Sequence, residues 1–315
     1  MKRFGLIGYP ASHSLSPALF RAAYGGKYAY DIIENPDFDA AYGKFIGEYD
    51  GVNVTAPFKE LAAARADILS PECRRTGAAN LLVKSPDGIK AFNTDCFGVL
   101  GAILSAADPA WSPEEAAGTA QAESLRGIAD AVRSRLGSGM AAGVASAGGA
   151  AACEARPLMT GAARALVSGG GGAARAAAAA MSGTGLETIL ANRTESKARR
   201  IAEEMQDSRI HVLPFGMLQE IAPECDIIVI AIPRSGYCRI PVLSREDGKT
   251  RFILEADYRN PAGAAASGSG IRTENGATVI SGVRWLLYQA YYGYGLFTGE
   301  SPSFSAMKKI ICGTF

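Results

Sequence analysis

Lys59 and Asp95 are the two side chains whose type and setting best suit them to move a proton. Lys59 closes the stretch Asn53-Val54-Thr55-Ala56-Pro57-Phe58-Lys59, in which Asn53 and Thr55 fall on one face of a strand. The lysine then sits in the first turn of a helix opened by Pro57, where a cation opposes the helix dipole and calls for a nearby anion or a function. Asp95 ends Asn93-Thr94-Asp95 at another strand–helix junction, where an N-cap is the ordinary role of an aspartate. A Lys–Asp pair facing a hydroxyl can move a proton while hydride leaves the carbon. The ammonium could equally polarise a carbonyl that gains alkoxide character, and the residues leave both roles open. With only two histidines, His13 and His211, far apart in sequence, a His–Asp relay is not expected.

Two further stretches suit anionic ligands. Ser168-Gly169-Gly170-Gly171-Gly172-Ala173-Ala174-Arg175 lies between a strand and a helix, where glycines let backbone N–H groups approach a pyrophosphate. About twenty residues further on, where an NAD-binding domain usually carries an acidic residue, the chain has Asn192-Arg193-Thr194 and then Lys197. Two cations and a hydroxyl suit a 2′-phosphate, which they can grip by charge-assisted hydrogen bonds. Ser12-His13-Ser14-Leu15-Ser16-Pro17 offers hydroxyls and helix N-terminal amides, a seat for a carboxylate or simply a helix cap.

These residues need elements to hold them. Phe4–Gly8 and Gly51–Thr55 read as strands, Ser16-Pro17 as an N-cap and first helical residue, and Ala78–Val83 with Ile89–Phe92 as paired strands around Ser85-Pro86-Asp87-Gly88. From Ala165 a βαβ rhythm begins: a strand at Ala165–Val167, the glycine turn, a helix over Ala173–Met181 and a strand at Leu186–Leu190. Further strands follow at Asp226–Ala231 and Phe252–Glu255, with helices at 282–297 and 303–312. Strands alternating with helices predict an α/β protein with a parallel, doubly wound sheet. Between the halves the sequence turns rich in Ala, Gly and Ser. Ser112-Pro113-Glu114-Glu115 is a helix start, and Leu125, Ile128, Val132 and Leu136 share a face. The stretch after Gly137 has almost nothing to bury and reads as an insertion at a hinge.

A chain of 315 residues, 48% hydrophobic, favours two modest domains. A formal net charge of +1 gives no electrostatic reason to expect nucleic acid or an acidic membrane surface as partner. Apolar runs such as Ile227–Ile232 are too short to span a bilayer, and MKRFGLIGYP builds no export signal. The six cysteines are scattered without a CxxC pair, so reduced thiols in a cytoplasmic protein and no metal site are expected.

The motifs HSLSP, NVTAPFK, GAANLL, FNTDCFG, SGGGGAAR and NRTESKA, in this order, make the chain resemble the shikimate dehydrogenase family, as does Gly282–Ala290 (GVRWLLYQA). The resemblance covers nearly the whole chain apart from the insertion. It implies NADPH-dependent reduction of 3-dehydroshikimate to shikimate, in aromatic amino acid (chorismate) biosynthesis, by a monomer or homodimer. By position it implies that Ser14 and Ser16 hold the substrate carboxylate, and that Thr55, Asn80, Asp95 and Gln289 hold its hydroxyls. Lys59 would be the catalytic acid or base and Tyr258 a substrate-side tyrosine. Gly169, Gly170, Gly171, Gly172 and Ala173, with Asn192, Arg193, Thr194 and Lys197, would bind NADP. Ala256 and Gly282 would line the nicotinamide end. The expected organisation is an open α/β substrate-binding domain over 1–104 completed by C-terminal helices over 284–315, an insertion over 105–162, and a Rossmann domain over 163–283.

The chain also departs from that family's pattern. Ile230-Ala231-Ile232-Pro233 stands where Asn-Ala-Thr-Pro is usual, Trp285 where a methionine is usual, and Asn80 is followed by leucine instead of threonine. A quinate or aminoshikimate dehydrogenase of the same fold, or a catalytically silent shikimate sensor, are the rival readings. Retention of both Lys59 and Asp95 speaks against a sensor, which has no need of a proton relay.

Overall fold

The computed structural model describes residues 2–116, 132, 163–232, 251–257 and 270–313. Most of the stretch read as an insertion therefore lies outside the described residues, although Val132 is buried in the main core.

Two α/β layers share the chain. The first contains β1 (Arg3–Gly8), α1 (Ser16–Ala23), β2 (Ala29–Glu34), α2 (Phe38–Glu48), β3 (Gly51–Val54), α3 (Lys59–Ala64), β4 (Ile68–Leu69), α4 (Pro71–Thr76), β5 (Leu81–Ser85), β6 (Gly88–Phe92) and α5 (Asp95–Ala107). Its six strands run in the order β2-β1-β3-β5-β6-β4. β1 is parallel to both β2 and β3, while β5 is antiparallel to β3 and β6. A short α6 (Pro113–Ala116) follows.

The second contains β7 (Arg164–Ser168), α7 (Gly172–Gly183), β8 (Glu187–Ala191), α8 (Glu195–Met205), β9 (Ile210–Val212), α9 (Leu218–Ile221), β10 (Ile227–Ile230), β11 (Arg251–Glu255), β12 (Ile271–Glu274) and β13 (Ala277–Ser281). Its order is β12-β13-β11-β10-β7-β8-β9. All neighbours are parallel except β12, which folds back on β13 as a hairpin. The order reverses at β7, the first strand of this sheet in sequence. Such a switch point opens a crevice beyond the carboxyl ends of the strands, and the glycine turn stands there.

The chain then returns through α10 (Gly282–Thr298) and α11 (Phe304–Gly313). α10 lies along α5, an almost wholly buried helix that also packs on α7. Two glycines of α5 permit the close approach. A Cβ at Gly98 would fall 2.4 Å from Trp285 Cδ1, and one at Gly101 would fall 2.7 Å from the Tyr288 ring. Helices α5, α7 and α10 thus join both layers in one apolar cluster.

Three local expectations need correction. Ser16 is not an N-cap: the cap position is Leu15 and Ser16 is the first residue of α1, without a side-chain cap bond. Asp95 is not a cap either, since Thr94 holds that position and Asp95 is the first helical residue. Pro57 does not open α3, which begins at Lys59 behind Phe58. β2 and the β12–β13 hairpin are not among the elements expected from the sequence. β2 is only partly buried (AYDIIE) and the β12–β13 turn, Asn275-Gly276, has both residues at positive φ.

A candidate active site between the two layers

Because neither Asp95 nor Ser16 spends its side chain on its own helix, both are available to other groups. Asp95 Oδ2 accepts a hydrogen bond from Lys59 Nζ at 2.5 Å. Its other oxygen, Oδ1, accepts from the indole Nε1 of Trp285 at 3.1 Å. Its backbone N–H donates to Asn93 Oδ1 at 3.2 Å. The aspartate side chain is only 4% exposed and the lysine 16%, so the lysine is the member that solvent or a ligand can reach. A carboxylate this buried must have its charge paired and its lone pairs filled. Here Lys59 pairs the charge and each carboxylate oxygen accepts one hydrogen bond, which leaves acceptor capacity for a further donor.

The polar residues beside the pair form a connected network. Asn80 Nδ2 donates to Thr94 Oγ1 at 3.0 Å and to Gln289 Oε1 at 2.8 Å, while Asn80 Oδ1 accepts from the Thr94 backbone N–H at 2.8 Å. Asn93 is anchored behind it through Nδ2 to Thr76 Oγ1 and Ala78 O, each at 3.0 Å. The Ala79 N–H donates to Lys59 O at 2.8 Å, fixing the start of α3 to the segment, with Asn80, that leads into β5. Gly293 of α10 sits directly against Thr94, which brings Gln289 within reach.

On the other flank, Ser14 Oγ donates to Ser16 Oγ at 3.1 Å, and the Ser16 N–H donates to Ser14 Oγ at 3.2 Å. Tyr294 on α10 donates to the Ser16 carbonyl at 3.0 Å, and Tyr30 on β2 donates to Asn53 Oδ1 at 2.8 Å. Burial, with Tyr294 alongside, pushes the Tyr30 phenol well above its ordinary value, so it stays a proton donor in hydrogen bonds and is no acid or base here. Thr55 follows β3 half-buried, its methyl packed so close to Gly8 that a Cβ there would lie 2.3 Å away.

At the crevice of the second sheet, Gly169 adopts φ +141°, and a Cβ there would lie 2.8 Å from Ala231 O. A Cβ on Gly170 would lie 2.8 Å from Asn192 Nδ2, so the turn can approach β8 only as glycine. Gly171 faces open space and no side chain caps α7, which leaves its first N–H groups free for an anion. Ala173 stands in that first turn. Arg193, Thr194 and Lys197 are exposed, and the acidic residue nearest them in sequence, Glu195, is paired with Arg199. Asn192 Nδ2 ties the loop down by donating to Thr194 O at 3.0 Å. Glycines at a helix N-terminus with two uncommitted cations fit a dinucleotide bearing an extra phosphate.

The two ends meet in one place. A Cβ on Gly172 would lie 2.9 Å from Lys59 Cδ, so the first turn of α7 packs against the stem of the lysine. Around this junction, Arg175 of α7 donates to Thr76 O at 3.1 Å and pairs with Glu204 and Glu60. Arg75 of α4 donates to Ser182 Oγ at 2.7 Å and to Asp207 Oδ2 at 2.5 Å. Gly282 packs against Ala256, where a Cβ would lie 2.5 Å from the Ala256 carbonyl.

Tyr258 lies outside the described residues. Ile230 and Ile232 face the core cluster around Leu166 and Ile253, so this strand end offers apolar packing instead of polar contacts. The histidines stand apart: His211 pairs with Glu187 at the sheet edge, and His13 is in the exposed turn before α1. The roles of Trp285, Asn93 and Tyr30 around Asp95 and Asn53 were not foreseen. Only Trp285 carried a signal, as a bulky departure from the expected methionine.

Comparison with known proteins follows the same geometry. The model for the shikimate dehydrogenase substrate binding domain matches residues 6–82, and that for shikimate / quinate 5-dehydrogenase matches residues 154–246. The shikimate dehydrogenase (NADP(+)) of Rubrobacter xylanophilus is 28% identical over 98% of this chain and 95% of its own length. That of Methanopyrus kandleri is 27% identical over 98% and 93%. Among solved structures, shikimate dehydrogenase from Mycobacterium tuberculosis superposes with a TM-score of 0.68 at 27% identity, covering 99% of this chain and 100% of that one. The Thermus thermophilus shikimate 5-dehydrogenase in complex with NADP(H) and shikimate gives 0.67 at 26% identity, with both chains fully covered.

Proposed function

This chain belongs to the shikimate dehydrogenase family, and on that premise we propose that it interconverts 3-dehydroshikimate and shikimate with NADP(H) as cofactor. The observation that carries the reading is the pair of half-buried Lys59 and buried Asp95 beside the N-terminus of the helix that follows the glycine turn. NADPH, when bound, supplies the hydride that reduces the ketone carbon. Gly169 to Ala173, with Asn192, Arg193, Thr194 and Lys197, would hold it. Ala256 and Gly282 would line its nicotinamide end.

The protein handles the proton. In the reductive direction Lys59 Nζ, the more accessible member of the pair, donates a proton to the ketone oxygen as that oxygen gains negative charge, and regains one from water. In the reverse direction the neutral amine accepts the hydroxyl proton. Asp95 keeps the ammonium in place and can accept a second substrate hydroxyl. Asn80 and Gln289, already bonded to each other, present further donors and acceptors for the ring hydroxyls. Ser14 and Ser16, at the start of α1, suit the carboxylate. Thr55 and Tyr258 are proposed on the resemblance alone. A substrate domain over 1–104 with 284–315, and a nucleotide domain over 163–283, is the division this assignment implies; a cytoplasmic setting accords with it. No helix among the described residues is long and apolar enough to cross a membrane.

The test is direct. Purified protein with shikimate and NADP should develop the reduced-nicotinamide absorbance, with NAD and quinate as the competing pair. No signal, with the cofactor proven active in a control reaction, would overturn the proposal.

A further inference from the structure

The indole of Trp285 is placed unlike a residue that merely fills the core. It is 5% exposed, its edge is seated on the Cα of Gly98, and its single polar atom reaches Asp95 Oδ1 at 3.1 Å. Gly98 is one turn beyond Asp95 on α5, so the same glycine that admits the ring also sets how far its N–H extends. A methionine, the residue usual at this position, carries no N–H to donate. The remaining oxygen, Oδ2, is the one that meets Lys59.

We propose that Trp285 is a positioning residue for the proton-handling pair: its N–H fixes Asp95 Oδ1, so the carboxylate presents only Oδ2 to Lys59. The claim rests on Lys59 and Asp95 being that pair. An indole N–H only donates and never titrates in this setting. It therefore serves as a fixed pin while protons pass at Lys59. Without the pin the carboxylate can rotate about its Cβ–Cγ bond and share Lys59 between both oxygens. The ammonium then loses its single aim at the substrate oxygen, a misplacement to which proton transfer is sensitive.

The experiment is a double-mutant cycle in the full-length enzyme, using Trp285→Phe and Asp95→Asn with shikimate and NADP. Removing a hydrogen bond to a charged group predicts a roughly ten- to hundredfold lower kcat for Trp285→Phe, with the KM for shikimate little changed. In the Asp95→Asn background the same substitution should have almost no further effect, because its target is gone. A kcat near wild type for Trp285→Phe, or an equal drop in both backgrounds, would overturn the proposal. If wild type itself shows no turnover, the proposed function fails and takes Trp285's role with it. A wild type that turns over beside an indifferent Trp285→Phe removes only the latter. Should Trp285→Phe fail to fold, fluorescence decides. Of the two tryptophans, Trp111 is half-buried against Tyr288, so Trp111→Phe leaves Trp285 as sole emitter. Adding Asp95→Ala should then shift its emission maximum, and an unchanged spectrum would overturn the contact.

Discussion

The lysine end and the phosphate end of the crevice are built on opposite terms. Around Lys59, almost every polar group already has a protein partner: Asp95 has three, Asn80 is bonded to both Thr94 and Gln289, and Asn93 is held by Thr76 and Ala78. Around Arg193 and Lys197 the charges stand exposed and, among the described residues, uncommitted, and Gly171 faces open space. A site that must move a proton needs its groups held before substrate arrives, because misplacement raises the barrier directly. A site that only grips an anion can leave solvated cations waiting, since the ligand supplies the missing partner. Losses at the first end should therefore appear in kcat, and losses at the second in KM for the cofactor.

The largest expected effect is that of Lys59→Ala. It should lower kcat by roughly 10² to 10⁴, the range for losing a positioned acid or base, while shikimate binding measured by calorimetry changes far less. Gly170→Val should come next, since its side chain would collide with Asn192. NADP should fail to saturate, with kcat at extrapolated saturation largely retained. A comparable collapse of shikimate binding would blur the contrast between the two ends. Arg193→Ala should raise the NADP KM roughly ten- to hundredfold, as one charge-assisted contact is worth. NAD should be nearly unaffected, and the NADP effect should shrink with added salt.

The smallest effect concerns stability. Asp207 is partly buried, which alone would raise its pKa, but hydrogen bonds from Arg209 and the charges of Arg209 and Arg75 outweigh burial and lower it. A carboxylate with a lowered folded value contributes stability that is whole above its unfolded pKa of about 4 and fades as pH falls through the lowered value. Asp207→Asn should cost about 1–2 kcal/mol at neutral pH. The deficit should narrow in acid, as followed by urea unfolding from pH 7 down to pH 3.

How much of this could be read in the chain depended on range. The alternating strands and helices, the glycine turn and the β8 end at Asn192-Arg193-Thr194 are local patterns, and the sheet order follows from them with few alternatives. Ser16 and Asp95 look like caps in sequence because cap and first-turn positions differ by one residue, and only backbone angles separate them. The shift is decisive for chemistry, since a capping Asp95 could not serve Lys59 in the same way. Other features were beyond local reading. Trp285 meets Asp95 across 190 residues, and Arg75 meets Asp207 across 132. Such pairings arise from how α10 packs on α5 and how α4 packs on α7 and α8, which no neighbouring residue encodes. β2 escaped notice because its half-exposed residues do not alternate cleanly.

Gly172 belongs by position to the proposed phosphate cradle and by contact to the lysine. That double membership makes cofactor preference only partly modular. On the proposed assignment, exchanging Arg193 and Lys197 would retune which nucleotide is favoured, and among the described residues neither is bonded to Lys59 or Asp95. The glycine cannot be traded in the same redesign, because any side chain there displaces the stem of Lys59. An engineer, or an evolving lineage, is therefore free to rewrite the adenosine end of this protein while the start of α7 stays locked to its chemistry.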